Sequence, residues 1–253
     1  MSDIYASPAA DLDNARYDDE QGSLARGIAG DYQLSVGDII SEAWERTRGA
    51  KLTLNLAFLL YIVIYAVVMG ITTFALGGLV TMNPGETPGA GFFLGSLLQQ
   101  LIVVSLTMPL GLGVFLLGLR RAVDAPISPT RILGHYDRTL PLLGTYLLMS
   151  LLLVIGFMLL IIPGIYLMVA FALAMPLVVE KRLGPWEALS ASRKAIGKRW
   201  FAALWFGVAL TVINMIAALP LGIGLIWTMP FSVIAGGIFY RNVFGCEADT
   251  RSA

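Results

Sequence analysis

The stretch "LLIIPGIYLM", residues 159–168, lies inside an uncharged block that extends from residue 140 to residue 179. A helix needs about 20 apolar residues to cross the roughly 30 Å hydrocarbon core of a bilayer, so this block is long enough for two helices. Proline ends or kinks a helix, and glycine permits the backbone to turn. Pro163 and Gly164 therefore predict that the block folds into a hairpin of two membrane-spanning helices.

Two further apolar regions repeat this arrangement. Residues 200–240 are uncharged and are divided by Pro220 and Gly222 in "LPLGIG", and residues 52–119 carry Glu86 as their one charge. Glu86 lies in "MNPGETPGAG", whose composition is typical of a loop. The spans expected in this last region are residues 52–76 and 92–119. The sequence thus predicts an all-α polytopic membrane protein with six transmembrane helices, arranged as three hairpins.

The composition also indicates a lipid environment. The chain is 57% hydrophobic and 13% charged, whereas soluble domains carry about 25% charged residues. The single cysteine, Cys246, excludes an internal disulfide, and the single histidine, His135, has no Cys or His partner at zinc-like spacing. Because the sequence also contains no phosphate loop, nucleophile elbow or metal motif, we expect no catalytic residue, cofactor or metal.

Lysine and arginine are confined to alternate loops. All 17 lie before the first predicted span, between the second and third, between the fourth and fifth, or after the sixth. Short cytoplasmic loops hold such residues, so we expect both termini in the cytoplasm. The first 50 residues lack the basic start and apolar run of a signal peptide, so the uncleaved spans are expected to direct insertion.

An amphipathic segment precedes each predicted hairpin. Residues 35–48, "SVGDIISEAWERTR", place apolar residues at helical spacing opposite charged ones. Residues 185–196, "PWEALSASRKAI", begin with proline and carry Trp186 and Leu189 near one face. The middle segment, "SPTRILGHYDRT", is shorter and contains Gly134. We interpret these segments as interfacial helices on the cytoplasmic side.

The same features divide the chain into three parts. Residues 1–33 are acidic and rich in small residues, which predicts a disordered tail. Residues 34–245 form the six-helix membrane domain, and residues 246–253 form a short C-terminal tail.

The six predicted spans contain no ionisable residue, although proton relays and ion paths normally use such residues. The polar side chains at depth include two asparagines and two glutamines: Asn55, Gln99, Gln100 and Asn214. Their favoured role is interhelical hydrogen bonding. The alternative is that they line a polar substrate path.

Met-Pro dipeptides occur three times, each in the second helix of a predicted hairpin. Pro109, Pro176 and Pro230 are therefore candidates for helix kinks, with the freed carbonyls satisfied by neighbouring groups. The alternative is that these prolines are hinges of a gated path.

The cytoplasmic basic clusters have two candidate roles. One is to hold the loops in the cytoplasm. The other is to bind anionic lipid headgroups, to which a well-placed Lys or Arg contributes about 1 kcal/mol. Trp44 and Trp186 support the second role because tryptophan favours the membrane interface. The headgroup candidates are Arg120, Arg121, Arg138, Arg193, Lys194, Lys198 and Arg199.

Residues 161–201, "IIPGIYLMVAFALAMPLVVEKRLGPWEALSASRKAIGKRWF", resemble a group of uncharacterised bacterial multi-pass inner-membrane proteins. These proteins are similar to the membrane domain associated with some glycerophosphodiester phosphodiesterases. The positions that carry the resemblance are Pro163, Gly164, Ile165, Tyr166, Gly184, Pro185, Glu187, Ala188 and Leu189, with the basic cluster from Arg193 to Arg199. The resemblance implies a six-helix protein of the bacterial inner membrane. It implies no activity, because the chain has no counterpart of the phosphodiesterase catalytic domain.

Three functions are compatible with these patterns. We expect a non-enzymatic integral membrane protein that interacts with lipids, anionic ones among them, or acts as a scaffold, and that binds no nucleic acid. A transporter or channel for a small solute is the alternative, and a water-accessible cavity lined by Asn214 and Gln99 would favour it. A membrane-embedded enzyme is the third, favoured if two or more acids or histidines converge on one pocket. A tightly packed centre with basic residues aligned at one membrane face would favour lipid or protein contact.

Overall fold

The computed structural model describes residues 22–81 and 87–251, and within these ranges all regular structure is helical. In chain order the elements are α1 (Leu24–Ala29), α2 (Val36–Arg46), α3 (Lys51–Val80), α4 (Ala90–Ala122), a 3₁₀ helix (Pro129–Arg138), α5 (Thr139–Leu159), α6 (Ile161–Ala170), α7 (Ala174–Glu180), α8 (Pro185–Lys198), α9 (Trp200–Ala218), α10 (Leu225–Phe244) and α11 (Ala248–Arg251). Residues 1–21 of the predicted tail and the loop residue Glu86 lie outside the described ranges.

Within residues 22–81 and 87–251, five segments are long and apolar enough to cross a membrane. They are Lys51–Val80, Ala90–Ala122, Pro129–Leu159, Ile161–Glu180 and Trp200–Ala218. This confirms the prediction that the described chain is helical and contains several apolar helices, as a multi-pass membrane protein requires. The predicted sixth span, α10, is not among the five. Its apolar sequence is diluted by Thr228 and Ser232, and its last turns carry Arg241 and Asn242.

The chain breaks close to both predicted turns. The first turn was predicted at Pro163 and Gly164. The helix is instead interrupted three residues before Pro163, at Leu160, whose backbone is extended. Pro163 instead lies in the first turn of α6, where its missing N–H would have no helical partner. Gly164 packs directly against Gly156 of α5, so α5 and α6 approach closely after the break. At the second, Leu221 and Gly222 both adopt positive φ angles between α9 and α10.

Helices form at the three predicted amphipathic segments. α2 turns Ile39 and Ala43 into the core, and α8 does the same with Leu189 and Ile196. The middle segment is a 3₁₀ helix, with His135 outside helical geometry. Glycine within this short segment weakens α-helix formation, which agrees with its tighter and less regular structure.

The packed core is concentrated at one end of the molecule, which we call the basic end and define by Arg46, Arg121 and Arg241. Leu117 and Leu119 of α4 and Tyr240 and Phe244 of α10 are among the largest fully buried side chains. α4 and α10 meet where Gly118 faces Gly237. A Cβ atom added to Gly237 would lie 2.5 Å from the Gly118 carbonyl carbon. Two glycines in contact allow this close approach of the two backbones.

Helix α10 runs across the basic end of the α3–α4 pair. Near its start, the carbonyl of Ile226 accepts a hydrogen bond from Asn55, which is close to the start of α3. Eleven residues later, Gly237 packs on Gly118, near the end of α4. These contacts are about 16 Å apart along α10, yet both lie at the same end of the antiparallel α3–α4 pair. α10 therefore crosses this pair at a steep angle.

The opposite ends of the helix pairs are uncovered. Phe74 in α3 is 92% exposed, and Met158 at the end of α5 is 82% exposed. Water would disfavour apolar side chains at such exposure, whereas lipid acyl chains would cover them without cost. The helix pairs therefore share a packed base and have apolar tips.

Two of the three candidate kink prolines lie inside continuous helices, Pro109 in α4 and Pro230 in α10. Pro230 leaves the carbonyl of Ile226 without its helical partner, and the Asn55 side chain donates to that carbonyl at 3.0 Å. Near Pro109, the carbonyl of Leu106 accepts from the hydroxyl of Tyr136 at 2.9 Å. The third, Pro176, lies in α7, just after the turn that separates α6 from α7.

Both domain boundaries differ from the predicted ones. Within the predicted tail, residues 22–33 are folded, because Ser23 caps α1 and the buried Tyr32 hydroxyl donates to the carbonyl of Ala195 at 2.9 Å. At the C-terminus, Cys246 is buried and α11 follows it. The acidic residues that suggested a tail are concentrated before residue 21, so the average composition obscured the folded segment.

We predict that Gly237→Ala destabilises the protein by about 1–3 kcal/mol, because the added methyl group would overlap the α4 backbone. Thermal unfolding of the detergent-solubilised protein, followed by circular dichroism, measures this loss. The matched control is Gly70→Ala in α3, where no atom lies within 4 Å of the added Cβ. Equal destabilisation by the two substitutions would show that the α4–α10 crossing does not require glycine.

Candidate functional site

Charged side chains of α2 and α10 meet at the basic end. Arg241 binds Glu42 through two guanidinium nitrogens, at 2.7 and 2.9 Å, and donates to the carbonyl of Ala122 at 2.6 Å. Arg46 binds the Glu42 carboxylate at 2.6 Å and the Asp124 carboxylate at 2.7 Å. We call Glu42, Arg46, Asp124 and Arg241 the Glu42 cluster. It joins α2, the end of α4 and α10.

The cluster shifts the pKa values of two of its members, Glu42 and Arg46. Burial alone would raise the pKa of Glu42, but hydrogen bonds and charges from Arg241 and Arg46 outweigh it and hold this pKa below the ordinary 4.5. Burial would lower the pKa of Arg46, but Asp124 and Glu42 outweigh it and raise this pKa. Glu42 and Arg46 are therefore both charged at neutral pH.

Arg121, one of the headgroup candidates, is bonded to this part of the protein. Its side chain donates to the carbonyl of Arg46 at 2.8 Å and to that of Arg48 at 3.0 Å. These bonds connect the end of α4 to the segment after α2. Sequence analysis did not identify Arg241 as the partner of Glu42, because the two residues are 199 positions apart and leave no local pattern.

A polar cavity of about 880 Å³ lies beside the end of α4. It is bounded by α4, the 3₁₀ helix, the end of α7 and α11. Its cationic lining residues are Arg120, Arg131, Arg138, Lys181 and Arg182. Two of them, Arg120 and Arg138, were headgroup candidates from the sequence. Arg120 is buried, and its Nε donates to the carbonyl of Pro126 at 3.0 Å.

Acidic residues and His135 line the same cavity; the acids are Asp137, Glu180, Glu247 and Asp249. Glu180 is buried and accepts hydrogen bonds from the Tyr240 hydroxyl at 2.9 Å and from the backbone N–H of Glu247. Lys181 pairs with Glu247 at 2.7 Å and with Glu180 at 3.6 Å. Acids and a histidine thus converge on one pocket, the arrangement that favours an enzyme, but Glu180 and Glu247 are held in ion pairs. In the described part of the chain, no group of three or more His, Cys, Asp or Glu residues could hold a metal ion.

The other four headgroup candidates lie together on α8 or immediately after it: Arg193, Lys194, Lys198 and Arg199, all exposed. The guanidinium carbon of Arg199 lies 5.8 Å from the ring centre of Tyr32, which is a cation–π distance. Lys198 packs its stem against Gly30. α8 therefore presents a cationic surface that is anchored to the folded N-terminal segment.

An apolar groove of about 320 Å³, which we call the α8 groove, lies between α8 and the α5–α6 pair. It is lined by Leu152, Leu167, Phe171, Trp186, Leu189, Ser190 and Arg193. Trp186 is 65% exposed, although tryptophan carries a large apolar surface. The groove thus places one guanidinium group and one exposed indole beside a surface that is otherwise mainly aliphatic.

Helix α8 is fixed in place by side-chain hydrogen bonds. The buried hydroxyl of Ser192 donates to the carbonyl of Ala170 at 2.8 Å and accepts from the N–H of Leu173 at 3.3 Å. It thereby satisfies backbone groups at the turn between α6 and α7. Glu187 accepts from the N–H of Gly184 and caps the start of α8. The groove residues that α8 contributes, Trp186, Leu189, Ser190 and Arg193, are consequently held in place.

The four polar side chains predicted within the spans all bond between helices, which confirms their predicted role. Asn55 bonds α10, and Gln99 donates to Thr73 of α3 at 2.8 Å. Gln100 donates to Tyr146 of α5 at 3.3 Å, and Asn214 donates to Ser232 of α10 at 2.7 Å. Neither Gln99 nor Asn214 is among the residues that line the cavities described here.

Comparison of the chain with protein-family models, with curated proteins and with solved structures finds no match.

We predict that Glu42→Gln destabilises the protein at pH 7 by about 1–3 kcal/mol, since Arg241 and Arg46 lose their charged partner. The pKa of Glu42 is lowered by folding, so its contribution is present above the unfolded pKa and is lost as pH falls through the folded pKa. The difference in unfolding temperature between wild type and variant should therefore close as pH falls from the ordinary 4.5 through the lower pKa of Glu42 in the folded protein.

The control for this substitution is Glu45→Gln, which removes the same charge from an exposed position on the same helix. Glu45→Gln should leave the unfolding temperature nearly unchanged both at pH 7 and in acid. If the unfolding temperatures of wild type and Glu42→Gln differed by the same amount in acid as at pH 7, an ionic role for Glu42 would be contradicted.

Proposed function

We propose that this chain is a non-enzymatic integral protein of a bacterial inner membrane that binds anionic phospholipid in the α8 groove. The observation that carries the proposal is the composition of the groove, an apolar channel with Arg193 and Trp186 at its edge. A phospholipid has the matching parts, namely an acyl chain next to a negatively charged phosphate.

The groove residues suit these two parts of a lipid. Leu152, Leu167 and Phe171 offer an apolar surface to an acyl chain. Arg193 can donate two parallel hydrogen bonds to phosphate oxygens, a geometry that suits guanidinium groups. Trp186 favours the depth at which headgroups meet acyl chains.

The neighbouring cations add to the attraction. Lys194, Lys198 and Arg199 are exposed on the same short segment as Arg193. Each cation close to an anionic membrane surface contributes about 1 kcal/mol. This supports a preference for anionic over zwitterionic lipid.

We further propose that the predicted architecture of six membrane helices in three hairpins holds, with both termini in the cytoplasm. The basic end faces the cytoplasm in this arrangement, which is the orientation that the lysine and arginine distribution favours. α10 is the sixth embedded helix, strongly tilted because it crosses the base of the α3–α4 pair. α2, the 3₁₀ helix and α8 lie at the cytoplasmic interface.

The alternative of a solute transporter or channel has less support. Gln99 and Asn214, the residues expected to line a path, donate to side chains of neighbouring helices. The base of the bundle is tightly packed at Gly118 and Gly237. Both features agree better with a lipid-binding or scaffold role.

We predict that replacing Arg193, Lys194, Lys198 and Arg199 together with Gln reduces retention of phosphatidylglycerol in native mass spectrometry. Phosphatidylcholine retention should change little, because it carries no net charge for these cations to attract. Equal retention of phosphatidylglycerol by the wild type and this variant would count against a headgroup site on α8.

Binding in the groove is tested with two single variants, each of which removes one positive charge. Arg193 lines the groove and Lys194 does not. Arg193→Gln should therefore weaken phosphatidylglycerol retention more than Lys194→Gln. Equal effects would indicate diffuse attraction to the α8 surface and would contradict binding in the groove.

We predict that a cysteine introduced at the tip of the α3–α4 pair, Thr87→Cys, reacts with a membrane-impermeant maleimide from outside the inner membrane. Native Cys246 should stay unlabelled, because it is buried and burial raises the pKa of its thiol to about 12. Spheroplasts that express this variant provide the measurement.

The control is Arg48→Cys at the basic end, which should react only after the cells are lysed. If Thr87→Cys also reacts only after lysis, the α3–α4 pair does not cross the membrane. The six-helix, three-hairpin arrangement would then be wrong.

A further inference from the structure

A small cleft lies where the end of α2, the start of α3 and the first turn of α10 meet, and we call it the tryptophan cleft. Its volume is about 150 Å³, and it is lined by Trp44, Thr47, Arg48, Lys51 and Trp227. It shares no lining residue with the polar cavity or with the α8 groove. Sites for whole small molecules measure roughly 300–1,000 Å³, so the tryptophan cleft can hold only a small group or one end of a longer molecule.

The lining of the tryptophan cleft carries two positive charges and no carboxylate. In the part of the chain that the structure describes, neither the Arg48 nor the Lys51 side chain has a hydrogen-bond or ion-pair partner. Their neighbour Arg46, by contrast, pairs with Glu42 and Asp124. The two cations of the cleft are therefore available to an anion from outside the described chain.

The backbone that carries these two cations is fixed by hydrogen bonds. The Thr47 hydroxyl donates to the carbonyl of Ala43 at 2.6 Å, and the carbonyl of Arg48 accepts from Arg121 at 3.0 Å. Gly49 has a φ of +79°, which glycine adopts readily, and it turns the chain from α2 into α3. The cleft is consequently built on a defined turn.

The two tryptophans of the cleft lie along one face of α10. Trp44 packs against Phe231, with ring centres 5.9 Å apart, and Trp227 is one helical turn before Phe231. Both indoles are nevertheless exposed. Tryptophan favours the depth at which headgroups meet acyl chains, so these residues suit a position at the membrane interface.

Exposed apolar side chains continue from the cleft along two helices. On α3, the exposed residues Leu52, Leu56 and Leu59 are spaced by four and three positions, so they form one stripe that begins next to Lys51. On α10, Ile226 precedes Trp227 and is also exposed. The cationic cleft therefore adjoins a surface that matches hydrocarbon.

We propose that the tryptophan cleft binds the headgroup phosphate of an anionic membrane phospholipid, with Arg48 and Lys51 as its ligands. Trp44 and Trp227 flank the phosphate, and an acyl chain lies along the Leu52 stripe. The cleft has room for only the charged end of a molecule, and the adjoining surface is apolar, so the occupant is a lipid and not a soluble phosphate. This site shares with the proposed function the placement of the basic end at the membrane interface, but it does not depend on the α8 groove.

The site is tested by fluorescence of the full chain with Trp186, Trp200 and Trp205 replaced by Phe. This protein keeps only Trp44 and Trp227, so its emission reports on the cleft. It is placed in phosphatidylcholine nanodiscs that contain a minority of phosphatidylglycerol brominated on its acyl chains, because bromine quenches nearby indoles. Quenching should exceed that produced by the same fraction of brominated phosphatidylcholine.

In this background, Arg48→Gln together with Lys51→Gln should lower the preference for phosphatidylglycerol by about fivefold for each charge removed. The matched control, Arg193→Gln with Lys194→Gln, removes two charges from α8 and should leave quenching at the cleft unchanged. Arg48→Lys with Lys51→Arg keeps both charges and should retain most of the preference. Since retention in the α8 groove is measured separately by mass spectrometry, either site can fail without the other.

Equal quenching by brominated phosphatidylglycerol and brominated phosphatidylcholine would overturn the proposal, and so would an unchanged preference after the Arg48 and Lys51 substitutions. An equal loss of preference in the α8 control would show diffuse attraction and would also contradict the site. Reversal of the quenching by inorganic phosphate, at an ionic strength matched with sodium chloride, would assign the cleft to a soluble anion and would contradict a lipid occupant.

Discussion

The contact between α4 and α10 at Gly118 and Gly237 is the constraint on which the basic end depends. Because neither residue has a side chain, the two backbones touch, and α10 crosses the base of the α3–α4 pair. This crossing brings Arg241 to Glu42 and to the end of α4. It also brings Tyr240 to Glu180, which fixes the end of α7 and one wall of the polar cavity. Without the close approach, four elements that are remote in sequence would not share one base.

Polar and apolar chemistry are separated along the helix pairs. Ion pairs and many of the buried side chains lie towards the basic end, whereas residues such as Phe74 and Met158 are exposed at the tips. Each of the four asparagine and glutamine side chains at depth bonds a neighbouring helix, as Asn214 does with Ser232. This distribution suits a protein whose tips contact acyl chains and whose base presents charge to headgroups and water.

The apolar segments and the amphipathic helices could be predicted because hydropathy and helical periodicity are local properties. The break at Gly222 was correctly located for the same reason. The break at Leu160 was missed, since the sequence marks Pro163 and proline is also favourable in the first turn of a helix. The crossing of α10 and the Glu42–Arg241 pair depend on contacts between distant positions, which no single sequence encodes locally. The same limit applies to the cavity, whose lining comes from several separate segments.

The length of the α3–α4 pair has a further consequence. These helices contain 30 and 33 residues, so they extend about 45–50 Å, whereas the hydrocarbon core of a bilayer is roughly 30 Å thick. Because the pair is packed firmly only at its base, it can lean until its apolar length matches the surrounding lipid. Hydrophobic mismatch would thus be absorbed by inclination of this pair and not by deformation of the core. Membranes of different thickness would change its angle while the basic end stays intact.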